Sequence, residues 1–398
     1  MVRRNGGFIG TDGLDAPDPP TDVTGTGGSE QVSVAFTAPT DAGTSSITGF
    51  VVQVSTDGTA YSAGSNTGTS SPIVVTGLTN GTAATAKVWA INSHGTSAPS
   101  DASASFTPAL QRGLMFGGFD GSSGVDVIDF YDLTTTGNST DFGDCSEAIR
   151  QCSAAGGATR ILRAGGQNNS NAVRNHIKYV TAATTGNESD FGNLSATFST
   201  GGGCGNSTRA LFGGGEWGGS DANTIEYVTI ASTGNGTDFG DLTRTHDDIN
   251  ATASATRGVF LGGSSTTIDY VTIASTGNAS DFGDLLRAAA YLAPAASATR
   301  GVIAGNNNKQ NEIQYITIAS TGNASDFGDL TTGRAGAFGV SNNTIAVFSG
   351  GESSSAAFLT SGEQVTIAST GNATDFGTLT DARGYAHSGA SNCHGGIA

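Results

Sequence analysis

Six times in this chain the pattern T-G-N-x-[ST]-D-F-G returns, with its phenylalanine at Phe142, Phe191, Phe239, Phe282, Phe327 and Phe376. The copies are 49, 48, 43, 45 and 49 residues apart. That period suits a unit of four strands better than a helical pair, and six such units make one object rather than six domains. Within a unit, residues 225–243 read IEYVTIASTGNGTDFGDLT. The run 227–230 is β-rich, Gly234-Asn235 suits a tight hairpin, and Thr237-Asp238-Phe239 opens the next strand.

Upstream of each hairpin lies an apolar run ending in glycine: 114–118, 161–166, 210–215, 259–263, 302–305 and 345–351. A small-residue stretch precedes it, often opened by an arginine (Arg150, Arg244, Arg287, Arg334, Arg383). Four strands per repeat follow. The first repeat starts at its second strand, 114–116, while the C-terminus carries a surplus small-residue strand, 383–392. The expectation is that this last strand completes the first sheet and closes the ring, removing a sheet edge.

Paired glycines after the second strand and an aromatic residue on each of the outer two resemble kelch-type β-propellers. The Tyr227-to-Phe239 interval is longer than that family's Tyr-to-Trp interval, so the resemblance is to a divergent form. It covers residues 110–398 and implies an all-β, six-bladed propeller closed by the C-terminal strand, without implying any chemistry. Residues 15–109 resemble a fibronectin type III domain of the bacterial and phage kind. The pieces are APDPPTDVTGT (16–26), the stretch 32–55, IVVTGLTNGT (73–82) and WAINSHGTSAPS (89–100). Val32, Val34 and Phe36, then Val52 and Val54, alternate as strands with one buried face do. Ala84 and Ala86 stand where that family carries its tyrosine corner, which predicts a lighter core.

Residues 1–14, MVRRNGGFIGTDGL, resemble the opening of virion structural proteins of marine tailed phages, through Arg3, Arg4, Gly6, Gly7, Phe8, Ile9 and Gly10. That resemblance implies a docking arm in which Arg3, Arg4, Phe8 and Ile9 meet other virion proteins. A net charge of −17 repels phosphate backbones and anionic lipids, so neither nucleic acid nor a membrane is an expected partner. No apolar run reaches eighteen residues, and 1–10 lacks the apolar core of a secretory signal. The four cysteines, Cys145, Cys152, Cys204 and Cys393, are expected to be free.

A catalytic motif is needed once, so six copies of Asp-Phe-Gly read as architecture. Each Phe should fill a seam between sheets, the Asp cap a turn and the Gly supply an unusual φ. Arg112, Arg160, Arg209, Arg257 and Arg300, just before the second strands, are within reach of pairing with those aspartates between sheets, and packing is their expected job. The asparagines Asn138, Asn187, Asn235, Asn278, Asn323 and Asn372 match a glycosylation acceptor, but the turn explains them without sugar. Among His94, His176, His246, His387 and His394, no two show metal-ligand spacing on one strand. His246, His387, His394, Cys152, Cys204 and Cys393 fall near the axial strands, yet no metal, no cofactor and no catalytic residue is assigned. Trp217, in a glycine-rich loop, is the one candidate ligand contact. The expected function is therefore a non-enzymatic virion protein (tail fibre, appendage or capsid-displayed) present in several copies. Its propeller would bind a host-surface glycan or another virion protein. The alternative is a bacterial extracellular propeller adhesin or glycan-active enzyme.

Overall fold

The computed structural model describes residues 14–28, 30–385 and 389–397. Arg3, Arg4, Phe8, Ile9 and His387 therefore lie outside the described residues. The chain divides into two compact units, Met1–Leu110 and Gln111–Ala398. Every regular element among the described residues is a β-strand, and none of them forms a helix long and apolar enough to cross a membrane.

In the first unit, a three-stranded sheet orders Thr21–Gly28, Gln31–Thr37 and Ile73–Thr76; a four-stranded sheet orders Gly64–Gly68, Ile47–Ser55, Thr85–Asn92 and Gly95–Thr96. Strict alternation along Thr85–Asn92 buries Ala86, Val88 and Ala90 against Val32, Val34, Phe50 and Val52. Ala84 and Ala86 are buried as expected of inward positions, and Phe106 brings an aromatic ring to the same core from the far end of the domain. The backbone of Phe106 exchanges both hydrogen bonds with Ala84. A serine ladder flanks Thr85–Asn92. Ser97, Ser100 and Ser103 donate their N–H groups to the carbonyls of Ala90, Val88 and Ala86, and their hydroxyls accept the N–H groups of the same three residues at 2.9–3.0 Å. Those bonds occupy backbone groups that an uncovered edge would leave unpaired.

Among the described residues, the second unit contains six antiparallel sheets each built around four strands, and a two-stranded one that pairs Arg334–Ala335 with Glu352–Ser353. Residues Ser153–Gly156, Arg160–Ala164, His176–Thr181 and Ser189–Asn193 show the pattern, one sheet made from consecutive strands. The first sheet departs from it: its innermost strand is Gly389–Ser391, paired with Arg112–Phe116. Six apolar clusters each combine two neighbouring sheets, and each contains one motif phenylalanine. Phe142 lies between the first and second sheets, followed in order by Phe191, Phe239, Phe282 and Phe327; Phe376 packs with Met115 and Tyr131, between the sixth sheet and the first. All six are 2–3% exposed. Five meet an aromatic ring of their own sheet edge-on, as Tyr227 meets Phe239 at 5.8 Å, while Phe376 meets Tyr131 across the gap at 5.2 Å.

Two expectations are corrected. Gly234-Asn235 does not form a two-residue hairpin, because the ladder closes at Tyr227 opposite Thr237 and the connection runs through 230–236. The asparagine instead reaches the preceding sheet. Asn187 Oδ1 accepts the Asp144 N–H, and Asn235, Asn278, Asn323 and Asn372 repeat the bond to Asn193, Asp241, Asp284 and Asp329; Asn138 makes it to Thr378 of the sixth sheet, all at 3.0–3.1 Å. Beside it the motif glycine donates its N–H to the carbonyl of the neighbouring motif phenylalanine at 2.7–2.9 Å, as Gly186 does to Phe142. A Cβ on Gly143 (φ +148°) or Gly240 (φ +139°) would stand 2.5 Å from the backbone of Gly186 or Gly277, so only glycine lets the two sheets approach this closely.

The second correction concerns the motif aspartates, which are exposed at all six positions. No turn-capping bond from them is seen among the described residues; the asparagine makes the repeated bond. The arginines pack. Arg160, Arg209, Arg257 and Arg300 stack over Tyr179, Tyr227, Tyr270 and Tyr315 at 4.4–4.6 Å, without pairing with those aspartates. Each donates Nη1 to a carbonyl of the next sheet, as Arg209 does to Ile273 O at 2.8 Å, and Arg112 does the same to Ala182 O while stacking over Phe130. An aromatic face attracts a cation, so stacking and hydrogen bonding are satisfied together.

Phe282→Ala should lower unfolding stability by about 3–5 kcal/mol, because a ring closed between two sheets leaves a cavity when it is truncated. Leu286→Ala, at an exposed neighbour, should shift it by no more than roughly 0.5 kcal/mol. Denaturant midpoints of the two variants give the comparison; equal midpoints would place the motif ring outside the structural joint.

Candidate functional site

Strand direction alternates within each sheet, so connections from first to second strand and from third to fourth emerge at one end, and those from second to third at the other. The third-to-fourth connections, 133–139, 182–188, 230–236, 273–279, 318–324 and 367–373, are all seven residues long. They carry the T-G-N motif. The second-to-third connections range from two residues (263–264) to eleven (165–175 and 350–360), and no sequence is shared among them beyond the leading glycines. One end is uniform; the other has diverged copy by copy.

At the divergent end, six residues that lead into the innermost strands share one backbone conformation. Gln151, Thr200, Asp248, Tyr291, Gly336 and Tyr385 have φ between +48° and +63°, the left-handed region that a β-branched or bulky residue rarely enters. Neighbours are linked amide to carbonyl: Gln151 N donates to Tyr385 O, Thr200 N to Gln151 O, Gly336 N to Tyr291 O and Tyr385 N to Gly336 O, at 2.8–3.0 Å. These residues form a rim. Inside it, the innermost strands of all six sheets line a cavity of about 40 Å³, through residues including Ala154, Gly203, Ala251, Pro294, Gly339 and Ala390. At roughly 10–15 Å³ per water it has room for about three waters and no sugar. The other end of the cavity is stoppered by the segment after Ser391. His394 Nε2 donates to Gly156 O and its Nδ1 accepts the Gly396 N–H, both at 3.0 Å, which fixes the neutral Nε2–H tautomer; burial holds its pKa below the ordinary value.

Four rings form a chain of contacts on the rim and its connections. Phe119 meets Phe358 at 5.7 Å, Phe358 meets Tyr385 at 5.8 Å and Tyr385 meets Tyr291 at 5.1 Å, each edge to face. The Tyr385 hydroxyl donates to Glu352, which is ion-paired with Lys309 at 3.0 Å. Tyr291 bonds the Asp248 carboxyl, whose pKa burial, reinforced by Asp247, pushes up to about 6. Arg150 covers the outer end, over Phe119 at 5.2 Å. Trp217 stands in the third sheet's connection on the same end, half-buried; its ring packs on Phe198 at 4.8 Å and its Nε1 donates to Gly214 O, so it is anchored to its own loop.

The cysteines and histidines do not converge. Cys204 and His394 line the cavity, Cys152 is buried between the first and second sheets, Cys393 packs near Ser341, and His246 ends an outer strand. Among the described residues no group of three His, Cys, Asp or Glu could hold a metal ion. All four cysteines are free thiols, and burial raises the pKa of Cys145 and Cys393, and that of Cys204 to about 12. A protonated thiol is a poor nucleophile. The six glycosylation-pattern asparagines each use Oδ1 in the bonds between sheets described above.

An acid whose folded pKa is raised favours the folded state most when protonated. Stability contributed by Asp248 is therefore present near pH 4 and lost as the pH rises through about 6. At about 1.4 kcal/mol per pKa unit, the wild type should lose on the order of 2–3 kcal/mol between pH 4 and 7.5 that Asp248→Asn does not lose. Urea unfolding of both chains across that range measures the difference, and parallel pH profiles would place the Asp248 carboxyl in solvent.

No curated protein matches the sequence. Residues 18–106 match the family model for the Fibronectin type III domain, in agreement with the two facing sheets of the first unit, and this part of the chain is a fibronectin type III domain.

Proposed function

We propose that residues 110–398 are a kelch-like six-bladed β-propeller closed by the C-terminal strand, carried by a phage virion structural protein of the tail-fibre, appendage or capsid-displayed kind. Its N-terminal arm docks on other virion proteins, the fibronectin domain acts as spacer, and several copies stand on the particle. The propeller's divergent end binds a host-surface glycan or a virion protein, without catalysis. The observation that carries this reading is the two-sidedness of the repeat. Six seven-residue connections keep the motif at one end, while six dissimilar connections occupy the other. Loops held by a rigid scaffold are where recognition accumulates. Closure is supported by the pairing of Gly389–Ser391 with Arg112–Phe116, and by Phe376 packing against the first sheet. The virion assignment is supported by the opening sequence 1–14 and by the fibronectin domain behind it.

Two experiments test the halves of this reading. Removing 1–14 should leave a folded, soluble protein that no longer enters particles, read by mass spectrometry of purified virions; full incorporation of the shortened chain overturns the docking role. Removing 383–398 takes the innermost strand from the first sheet and exposes Arg112–Phe116 along one edge. Its unfolding should lose cooperativity, and a melt superimposable on that of the intact chain overturns closure.

A further inference from the structure

We propose that the chain of rings Phe119, Phe358, Tyr385 and Tyr291 is a shelf for a neutral oligosaccharide. The inference rests on the divergent end being the presented one, and names its ligand class. None of the four rings belongs to the six clusters that join the sheets. Every one is half-buried, so a side remains open. Phe119 and Phe358 come from divergent connections, and the two tyrosines from the rim. The rim's backbone does not require tyrosine: Gly336 occupies the equivalent position in the sixth sheet without strain, whereas Tyr291 and Tyr385 hold φ of +54° and +51°. Strain kept at a surface position points to a role beyond packing.

The chemistry at the shelf selects the ligand. Aromatic faces carry negative charge density and attract the polarised C–H face of a pyranose. Successive centroids are 5.1–5.8 Å apart and the rings stand edge to face, so a sugar chain laid along them meets faces and edges in turn. Along one side, Glu352 and Asp248 supply acceptors for sugar hydroxyls, bonded to the tyrosine hydroxyls that orient them. A few placed polar groups beside an apolar floor is the composition of a small-ligand site. Anionic glycans are disfavoured, because Asp247, Asp248 and Glu352 crowd the shelf and the chain carries a net charge of −17. The axial cavity cannot compete for the sugar, since it is about 40 Å³.

The test is saturation-transfer NMR on the full chain with maltohexaose, cellohexaose, mannohexaose and an α1,4-galactan hexamer, against oligosialic acid as the anionic comparator. At least one neutral hexamer should receive saturation and oligosialic acid none. Phe358→Ala should weaken that binding at least tenfold, while Leu286→Ala, on an outer strand, leaves it unchanged. Should F358A fail to fold, Phe119→Ala in the same chain of rings carries the same comparison. Absence of transfer to every neutral hexamer, binding of oligosialic acid alone, or wild-type affinity in a folded F358A overturns the shelf. A chain found in particles whose F358A variant binds as tightly as wild type loses the shelf and keeps the virion reading. Shelf-dependent binding by a chain absent from particles does the reverse.

Discussion

A four-stranded sheet with two apolar faces cannot stand alone in water, and the second unit depends on how each sheet is joined to the next. The joint has a fixed kit. A phenylalanine fills the gap, an asparagine and a glycine of one sheet bond the backbone of its neighbour, and a glycine opposite them removes the Cβ that would hold the sheets apart. Side-chain volume is graded across the sheet. Innermost strands read SAAG, GGCG and APAA, while the second and fourth strands supply Leu and Phe. Thin innermost strands let all six approach one small cavity, while the thicker outer strands fill the gaps between sheets, since interiors pack to near-crystalline density.

Joints this similar could pair in the wrong order, and buried charge makes them differ. The fourth residue from the end of the third strand is an acid or amide that reaches the preceding sheet: Asp129 to Thr380, Glu226 to Ser195, Asp269 to Thr243, Gln314 to Leu286 and Glu363 to Thr331. Lys178 breaks the series in the second sheet, and there Glu188 accepts from Ser146 instead. Three of these acids also hold a fully buried arginine, in the pairs Arg163–Glu188, Arg334–Glu363 and Arg383–Asp129. Such pairs add little net stability, but a buried charge left without its partner costs several kcal/mol, about 3–5 by mutation. Arg334 and Arg383, on segments that join one sheet to the next, would lose Glu363 and Asp129 if the sheets docked in another order, whereas Arg163 and Glu188 belong to one sheet. Specificity of order, more than stability, is what these residues contribute.

Much of this was legible because repetition averages out local ambiguity. One copy of TGNGTDFG is a plausible hairpin; six copies at a steady interval identify strands, the buried ring and the number of sheets. The same repetition misled the reading of individual side chains. Gly-Asn is a strong hairpin signal when only neighbours in sequence are considered. The bond that Asn235 makes is to Asn193, forty-two residues earlier, which no local rule anticipates. Arg209 and Tyr227 likewise meet across strands, so packing was expected of the arginine but the ring it packs on was hidden. The serine ladder at 97, 100 and 103 did leave a mark, an S-x-x-S-x-x-S spacing that matches neither strand nor helix. The rim left none, because six left-handed residues as different as Thr, Asp, Tyr and Gly share no side-chain chemistry.

The joint also explains why sequence diverged at one end alone. A seven-residue connection must deliver its asparagine and glycine to the neighbouring outer strand with both bonds in register, so any insertion there breaks contacts on two sheets at once. A second-to-third connection meets a looser demand. Its leading glycines turn the chain away from the sheet, as Gly165 and Gly350 do at φ near +60°, and beyond them the bonds differ from one connection to the next. In 165–175 Asn168 closes the turn on Ala172; in 350–360 Ser353 closes it on Ala357. Added length then costs little more than loop entropy, about 0.6 kcal/mol for each doubling. Variation was therefore cheap where the loops rise and costly where the sheets lock. The residues free to acquire binding chemistry are those gathered around the rim.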